Sequence, residues 1–496
     1  MRRFRAVCIV ALVATGLAPV LARADDAPSP NGGQLVQACR DSIGDTPEIG
    51  NRACRSLEAE TNGFAAYCRK QPGVTPEQCA TFSGRVVSQA KVDAYERSWT
   101  HRALTMQRDL DDAAPLLDEM VVHTHNSFNS SSYPTTLTNQ DPNQLYGLEN
   151  QLRMDIRFLE LDLHWVPSIY GTPATGGYAV TLCHGTGVDA GPTTVHVGCS
   201  VDRPFTDGLA EIRMWLNANP HEVVFLYLEN QMTGNPTAHQ IAADAIKQYL
   251  GDLVLTTPPG KPCAPMPLST SRAAMRAEGK RVLIVGNCGP GAWGTYVYER
   301  GPNWDESDEG QGNTYPAFPK CLALRGPHHY DTHWIRWYED STWLTAMTGG
   351  GGFSTADEIA SMVRCGVQMP GMDQAAPDDG RLSAYVWSWA QDQPAGPGQC
   401  GAQGPDSRFR ATGCTQPMPF ACVDGAGGWH VTNARGPWAN GFTVCGREFP
   451  GSRFGVPPNG YRNELLREAR PASAPGVWLN YRQVGAGWTP NLVPPR

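Results

Sequence analysis

The chain has no basic block. Lys and Arg number 40 against 48 Asp and Glu, and the formal charge of −8 is spread along 496 residues. Nothing gathers the cations that would neutralise a phosphate backbone, so nucleic acid is not an expected partner. C-x-x-C spacing is also missing, which argues against a structural zinc site. No G-K-[ST] follows the glycines at 349–352, so that run reads as a loop and not as a phosphate cradle. Neither Trp387-Ser388-Trp389 nor Asn126-Ser127-Phe128 has the flanking glycines of a nucleophile elbow, and covalent serine catalysis is not expected. Beyond the first residues there is no apolar run of membrane-spanning length.

What is present begins with a leader. Arg2, Arg3 and Arg5 precede an apolar stretch at 6–21, and Ala22-Arg23-Ala24 supplies a small-residue cleavage site. Residues 1–24 read as a signal peptide, and the mature chain as secreted or periplasmic. Of 15 cysteines, Cys8 leaves with the leader, and the even number left in an exported chain fits disulfides. The local pairings expected are within Cys39, Cys54, Cys68 and Cys79, then Cys183 with Cys199, Cys263 with Cys288, and Cys422 with Cys445.

Residues 25–112 are polar and helix-compatible, and read as a Cys-containing helical extension. From residue 113 apolar runs alternate with well-punctuated helices. Asn235-Pro236 opens one that Gly251 stops, Thr206 or Asp207 opens another ahead of Pro220, and the capping box Thr355 to Glu358 opens a third that ends near Gly366. Strands are expected at 120–125, 156–163, 178–183, 223–229, 281–286 and 385–389. Buried strands alternating with helices predict an α/β fold, a TIM-type (β/α)8 barrel over 113–395 with two strands in less legible stretches. Residues 396–496, rich in Gly, Pro and Cys, read as an irregular disulfide-rich module packed on the barrel end.

Polar residues cluster where strands end, and strand C-termini are where barrels place their chemistry. They are His125-Asn126, Glu160 with Asp162, His184, and Glu229 closing Phe-Leu-Tyr-Leu-Glu. Glu160 and Asp162 are two apart in a strand, so their carboxylates share a face. With Asn126 and Glu229 they form an all-oxygen set that suits a hard cation, calcium by preference and magnesium as the alternative. Two histidines on different strands add an acid and a base, enough for phosphodiester cleavage. His123 and His164 share faces with these groups and stand as supporting residues or plain packing. The acidic run Asp305, Glu306, Asp308 and Glu309 lacks calcium-loop spacing and reads as a solvated loop. Trp334, Ile335, Trp337 and Tyr338 read either as barrel packing or as a lipid-interface patch.

The string His123-Thr124-His125-Asn126-Ser127-Phe128-Asn129 leads to Gln151-Leu152 and then Ile156-Arg157-Phe158-Leu159-Glu160-Leu161-Asp162. Cys183-His184-Gly185 follows, then Phe205-Thr206-Asp207-Gly208-Leu209 through Trp215-Leu216 and Asn219-Pro220 to Leu228-Glu229. In that order the motifs resemble the catalytic region of phosphatidylinositol-specific phospholipases C of the calcium-dependent type, and Tyr385 to Ala390 resembles a final barrel strand of related phosphodiesterases. The resemblance implies His125 and His184 as catalytic residues and Asn126, Glu160, Asp162 and Glu229 as calcium ligands. It implies a phospholipid or small phosphodiester substrate, transient contact with a membrane surface, and intramolecular attack on phosphorus. The readings set against it are a phosphodiesterase of another glycerophosphodiester or sphingolipid, and a binding protein that uses the barrel as a scaffold.

Overall fold

The computed structural model describes residues 89–130, 132–133, 142–184, 187–189, 194–196, 199, 202–307, 315–321, 331–339, 353–378 and 380–493. The leader and the four cysteines of the extension lie outside the described residues.

Period-two alternation builds the wall. In Val224–Gln231, Phe225 and Tyr227 belong to an inner apolar cluster while Val224, Leu226 and Leu228 belong to an outer one. In Val282–Gly286, Leu283 and Val285 point in, and Val282 and Ile284 point out. In Phe158–Pro167, Phe158 points in, and Leu159, Leu161 and Leu163 point out against helices. Both faces are apolar, as expected of parallel strands covered by helices.

The strands in chain order are β1 (His123–Thr124), β2 (Phe158–Pro167), β3 (Tyr178–Leu182), β4 (Gly187–Asp189), β5 (Thr194–His196), β6 (Val224–Gln231), β7 (Val282–Gly286), β8 (Val297–Glu299), β9 (Trp304–Ser307), β10 (Trp334–Tyr338) and β11 (Met369–Met372). Eight of them run parallel in the order β8-β7-β6-β2-β1-β11-β10-β9. β3 pairs antiparallel with the upper half of β2, from Leu163↔Leu182 to Pro167↔Tyr178, and β4 pairs with β5 as a hairpin. The sheet curls until its far members meet through side chains. The Tyr227 ring stacks on Trp304 at 5.8 Å, and Arg300, just past β8, pairs with Glu306 of β9 at 3.1 Å. The result is a TIM-type barrel wall whose seam, between β8 and β9, is closed by side chains.

Three of the expected strands are β2, β6 and β7. β1 is shorter than expected, and the expected strand at 178–183 is β3, outside the parallel wall. Residues 385–389 are not a strand. Gln107 Oε1 accepts from the backbone N–H of Trp387 and of Ser388, so a side chain takes the place of a neighbouring strand. The last wall strand is β11. Residues 304–307, expected in a solvated loop, form β9, with Asp305 2% exposed and Glu306 facing inward onto Arg336; Asp308 and Glu309 lie outside the described residues. Trp334, Ile335 and Trp337 are buried in β10, which removes them as a lipid-facing patch.

The helices follow their punctuation. Asn235 accepts from Thr237 and Ala238 N–H at the start of Pro236–Leu250, and the Thr355 capping box opens Ala356–Cys365, which Gly366 ends in the left-handed conformation. Phe205–Ala218 begins after Pro204 without a side-chain cap. The helix Trp99–Asp111 is tied to the N-terminal end of the wall: Arg108 pairs with Asp155 at 2.8 Å, and Arg272 bridges to Asp111 and Glu119.

The disulfides Cys183–Cys199, Cys263–Cys288 and Cys422–Cys445 form as expected, joined by Cys321–Cys365 and Cys400–Cys414. The C-terminal part is regular, unlike the expectation. It folds into a sheet of β12 (Cys400–Gln403), β13 (Phe409–Thr412), β17 (Val477–Val484) and β18 (Gly487–Pro490), and a second of β14 (Ala421–Val423), β15 (Trp429–Val431) and β16 (Arg453–Phe454). Its turns are set by glycine and proline, which is what hid these short strands.

Inside the wall the residues form layers two positions apart, about 7 Å in rise. The lowest is an aromatic plug. Phe158 and Phe225 meet Trp334 edge-on at 5.9 and 5.5 Å, and Trp304 meets Trp334 at 6.0 Å. This plug is the floor on which the polar layers stand. Trp334→Ala should therefore cost about 3–5 kcal/mol of stability, measured by urea denaturation; a loss under about 1 kcal/mol would show that the plug is not supporting the barrel.

Candidate active site

β1 ends at Thr124, and the chain turns at once. Asn126 has φ +43°, a left-handed conformation that Asn tolerates better than most residues. Ser127 and Gln151 lock the turn: Ser127 Oγ accepts from Glu160 N–H at 2.9 Å, Gln151 Nε2 donates to Ser127 O at 2.8 Å, and Thr124 Oγ1 donates to Gln151 Oε1 at 2.6 Å. The Asn126 N–H then donates to Glu160 Oε2 at 3.0 Å.

The structure brings all the expected site residues to the C-terminal mouth of the wall. Carboxylate oxygens of Glu160, Asp162 and Glu229 lie within 4.8 Å of one another, Glu160 and Asp162 buried and Glu229 partly so. Burial, then Glu229 and Glu160, push the Asp162 carboxyl well above the usual carboxylate range. Burial also lifts Glu160, against Arg336. Like charges pressed together out of water cost free energy unless a cation or protons join them.

The Asn126 amide stands between the acids and the histidines and has two orientations. In one, its oxygen lies 3.0 and 3.2 Å from the Asp162 oxygens and its nitrogen 3.2 Å from His184 Nε2 and 3.3 Å from His125 Nε2. Turned over, it donates to Asp162 and accepts from both rings. The second orientation satisfies every partner by hydrogen bonding alone, and the first would need a cation shared between the two oxygens. An amide oxygen with three carboxylates fits a hard divalent ion, and calcium, with its looser geometry, better than magnesium.

Below the mouth, Arg336 of β10 reaches the barrel axis. It is 1% exposed, pairs with Glu160, and lies 3.2 Å from Glu306. Its Nε donates to His123 Nε2 at 3.0 Å. A guanidinium only donates, so His123 Nε2 accepts, and its Nδ1–H donates to Phe158 O at 3.2 Å. Burial and Arg336 hold the His123 pKa well below the ordinary histidine value. His123 therefore anchors Arg336 as a neutral ring. His164, also buried, lies on β2 above the mouth.

Residues 82–379 match the family model described as the Rv2075c PI-PLC-like domain. The chain is 38% identical over 448 residues, 86% of its own length and 88% of theirs, to two Mycobacterium tuberculosis proteins, "Uncharacterized protein MT2135" of strain CDC 1551 / Oshkosh and "Uncharacterized protein Rv2075c" of strain H37Rv. This chain belongs to the PI-PLC-like family. Solved structures that overlay on part of it include a phosphatidylinositol-specific phospholipase C from Listeria monocytogenes, at TM-score 0.35 and 15% identity over 57% of this chain and 98% of that one. A calcium-dependent phosphoinositol-specific phospholipase C from a Gram-negative Pseudomonas sp. overlays at TM-score 0.30 and 13% identity, over 55% and 93%.

The PI-PLC-like mouth also holds residues that the sequence pattern did not reveal. Asp373, directly after β11, lies with Oδ2 3.2 Å from His125 Nδ1 and accepts from Gln144 Nε2 at 3.0 Å on its other oxygen. Its backbone N–H donates to Glu339 Oε2 at 2.8 Å, and Arg381 joins Glu339 to the Asp373 carbonyl, at 3.2 and 2.9 Å. Burial, only partly offset by Arg381, pushes Glu339 up to about 7. Tyr338 of β10 lies against the His125 ring at 4.7 Å. The one signal for Asp373 was a carboxylate closing a short apolar run, and Pro370 within that run disguised the strand.

Arg336→Met leaves Glu160 buried without its cation, while the half-buried Glu306 keeps Arg300, and should cost about 3–5 kcal/mol. Urea denaturation of this variant and of Arg336→Met combined with Glu160→Gln checks it. The double variant should recover part of the loss, and equal stability of Arg336→Met and parent would remove the guanidinium from this role.

Proposed function

We propose that the chain is a secreted phosphodiesterase that cleaves an inositol phospholipid or a related diester with the help of calcium. The observation that carries the reading is the Asn126 amide, which touches Asp162 on one side and the Nε2 atoms of His125 and His184 on the other. Acids suited to a cation and two proton-carrying rings thus share one small opening. The disulfides fit an oxidising compartment, and the leader expected at 1–24 would deliver the chain there.

Asn126, Glu160, Asp162 and Glu229 would hold the cation. Once bound, it would draw charge from a phosphoryl oxygen and make a neighbouring hydroxyl more acidic. The rest is done by side chains of this chain. Asp373 takes the Nδ1–H of His125, which fixes the ring and leaves Nε2 facing the opening as a base. That nitrogen accepts the proton of a headgroup hydroxyl as its oxygen bonds to phosphorus. The bond from phosphorus to the glycerol oxygen breaks, and His184, protonated at Nε2, gives that oxygen its proton. Diacylglycerol leaves, and the headgroup retains a cyclic phosphate. Asp373 also stabilises the imidazolium that His125 becomes, as a buried carboxylate does for a cationic ring.

The test is phosphorus NMR of the purified chain with phosphatidylinositol micelles, with calcium and with chelator. A cyclic inositol phosphate signal is expected that chelator removes, and that falls at least roughly a hundredfold in His125→Ala and in His184→Ala. Turnover of a different diester with the same losses would keep the chemistry and change the substrate. No turnover of any diester would leave the barrel as a scaffold for binding.

A further inference from the structure

One cavity lies away from the mouth, where the helical cover of the barrel meets the C-terminal module. It measures about 150 Å³ and runs between the helix Ala356–Cys365, the segment 384–387, the turn from β12 to β13 and the helix Gly460–Ala469. Ala360, Val363, Ala384 and Val386 give it apolar walls, and the turn supplies Ser407 and Arg408.

Most of the charge around this cavity is already answered. Glu464 accepts from Arg364 at 2.7 Å and from Arg467, and the Arg364 guanidinium also lies over the Phe318 ring at 3.9 Å. Asp406 is taken by Arg410, which reaches its two oxygens at 2.7 and 2.6 Å. Arg408 is left over. Its guanidinium donates to the Val386 carbonyl, and no carboxylate among the described residues pairs with it. Burial, offset only in part by Asp406 and reinforced by Arg364, holds its pKa below the ordinary guanidinium value. Beside it, Ser407 is 6% exposed, and its hydroxyl has no hydrogen-bond partner among the described residues. Ser407 has φ +65°, a left-handed conformation that glycine adopts without strain. The turn thus carries a side chain at a position where the backbone favours none.

A half-buried guanidinium without an acid, next to a free hydroxyl, offers the donors that an oxyanion takes. One unanswered positive charge matches one negative charge, and apolar walls match a carbon body. A cavity of about this volume holds a ring the size of benzene. We propose that this cavity binds a small organic carboxylate, an aromatic or branched aliphatic acid, with its carboxylate on Arg408 and Ser407 and its carbon body against Val363 and Val386.

The test is calorimetric titration of the full chain with benzoate, with chelator present so that no cation in the mouth attracts the anion. Inorganic phosphate and uncharged benzyl alcohol are titrated beside it, into parent, Arg408→Gln and Ser407→Gly. Glutamine keeps a donor for the Val386 carbonyl without the charge, and glycine relieves the left-handed backbone, so both variants should fold; thermal unfolding checks this. The parent should bind one benzoate per chain, at least roughly tenfold more tightly than benzyl alcohol. Affinity should fall roughly tenfold in Arg408→Gln and severalfold in Ser407→Gly, which should unfold no earlier than the parent. No benzoate binding at millimolar concentration, phosphate binding tighter than benzoate, or undiminished binding in Ser407→Gly or in a folded Arg408→Gln would overturn the assignment.

Discussion

The interior depends on one buried guanidinium. Arg336 sits at the level where the barrel changes from an aromatic plug to an acidic mouth, and it touches Glu160, Glu306 and His123 at once. An unpaired charge at that depth would cost several kcal/mol, so the carboxylates beside it are required by the arginine as much as the reverse. Yet one guanidinium cannot answer all the acids above it. Asp162 and Glu229 crowd Glu160 with no guanidinium or ammonium paired to either of them among the described residues. The imbalance lies at the open end, where a cation could enter, and this separates a site from a structural salt bridge.

The histidines follow from the same arrangement. Arg336 fixes His123 as a neutral ring, so it cannot share the work of His125, two residues on and on the same face. His125 instead turns to Asp373, itself held by Glu339 and Arg381. Support thus passes outward in shells, each side chain oriented by the next, and such shells give a site its precision. The ends of the chain stabilise this frame from outside. Trp99–Asp111 is clamped to the N-terminal end of the wall by Arg108 and Arg272, and Glu464 of the helix Gly460–Ala469 pairs with Arg364 of the helix Ala356–Cys365 at 2.7 Å.

What was legible in the sequence was whatever alternates in place. β2, β6 and β7 read as strands because their inner and outer residues differ every second position, and this also put Glu160 and Asp162 correctly on one face. The six candidate site residues stood out because each ends or follows an apolar run. The wall from β8 to β11 was not legible. β9 carries two consecutive acids, of which Glu306 faces inward and is answered by an arginine about thirty residues later, so the local pattern reads as a solvated loop. β11 is short and interrupted by Pro370. The alternating aromatics of 385–389 look like a strand, yet Gln107, far away in sequence, takes their backbone donors. Asp373 was missed for the same reason as β11: its meaning comes from a contact with His125 across 248 positions.

The claim that the mouth is a divalent-cation site is tested most directly by titrating calcium into the purified chain in a calorimeter, beside Asp162→Asn. The account predicts one calcium bound per chain, with binding lost or weakened at least roughly a hundredfold when Asp162 loses its charge. No binding at millimolar calcium, or equal binding by Asp162→Asn, would contradict it.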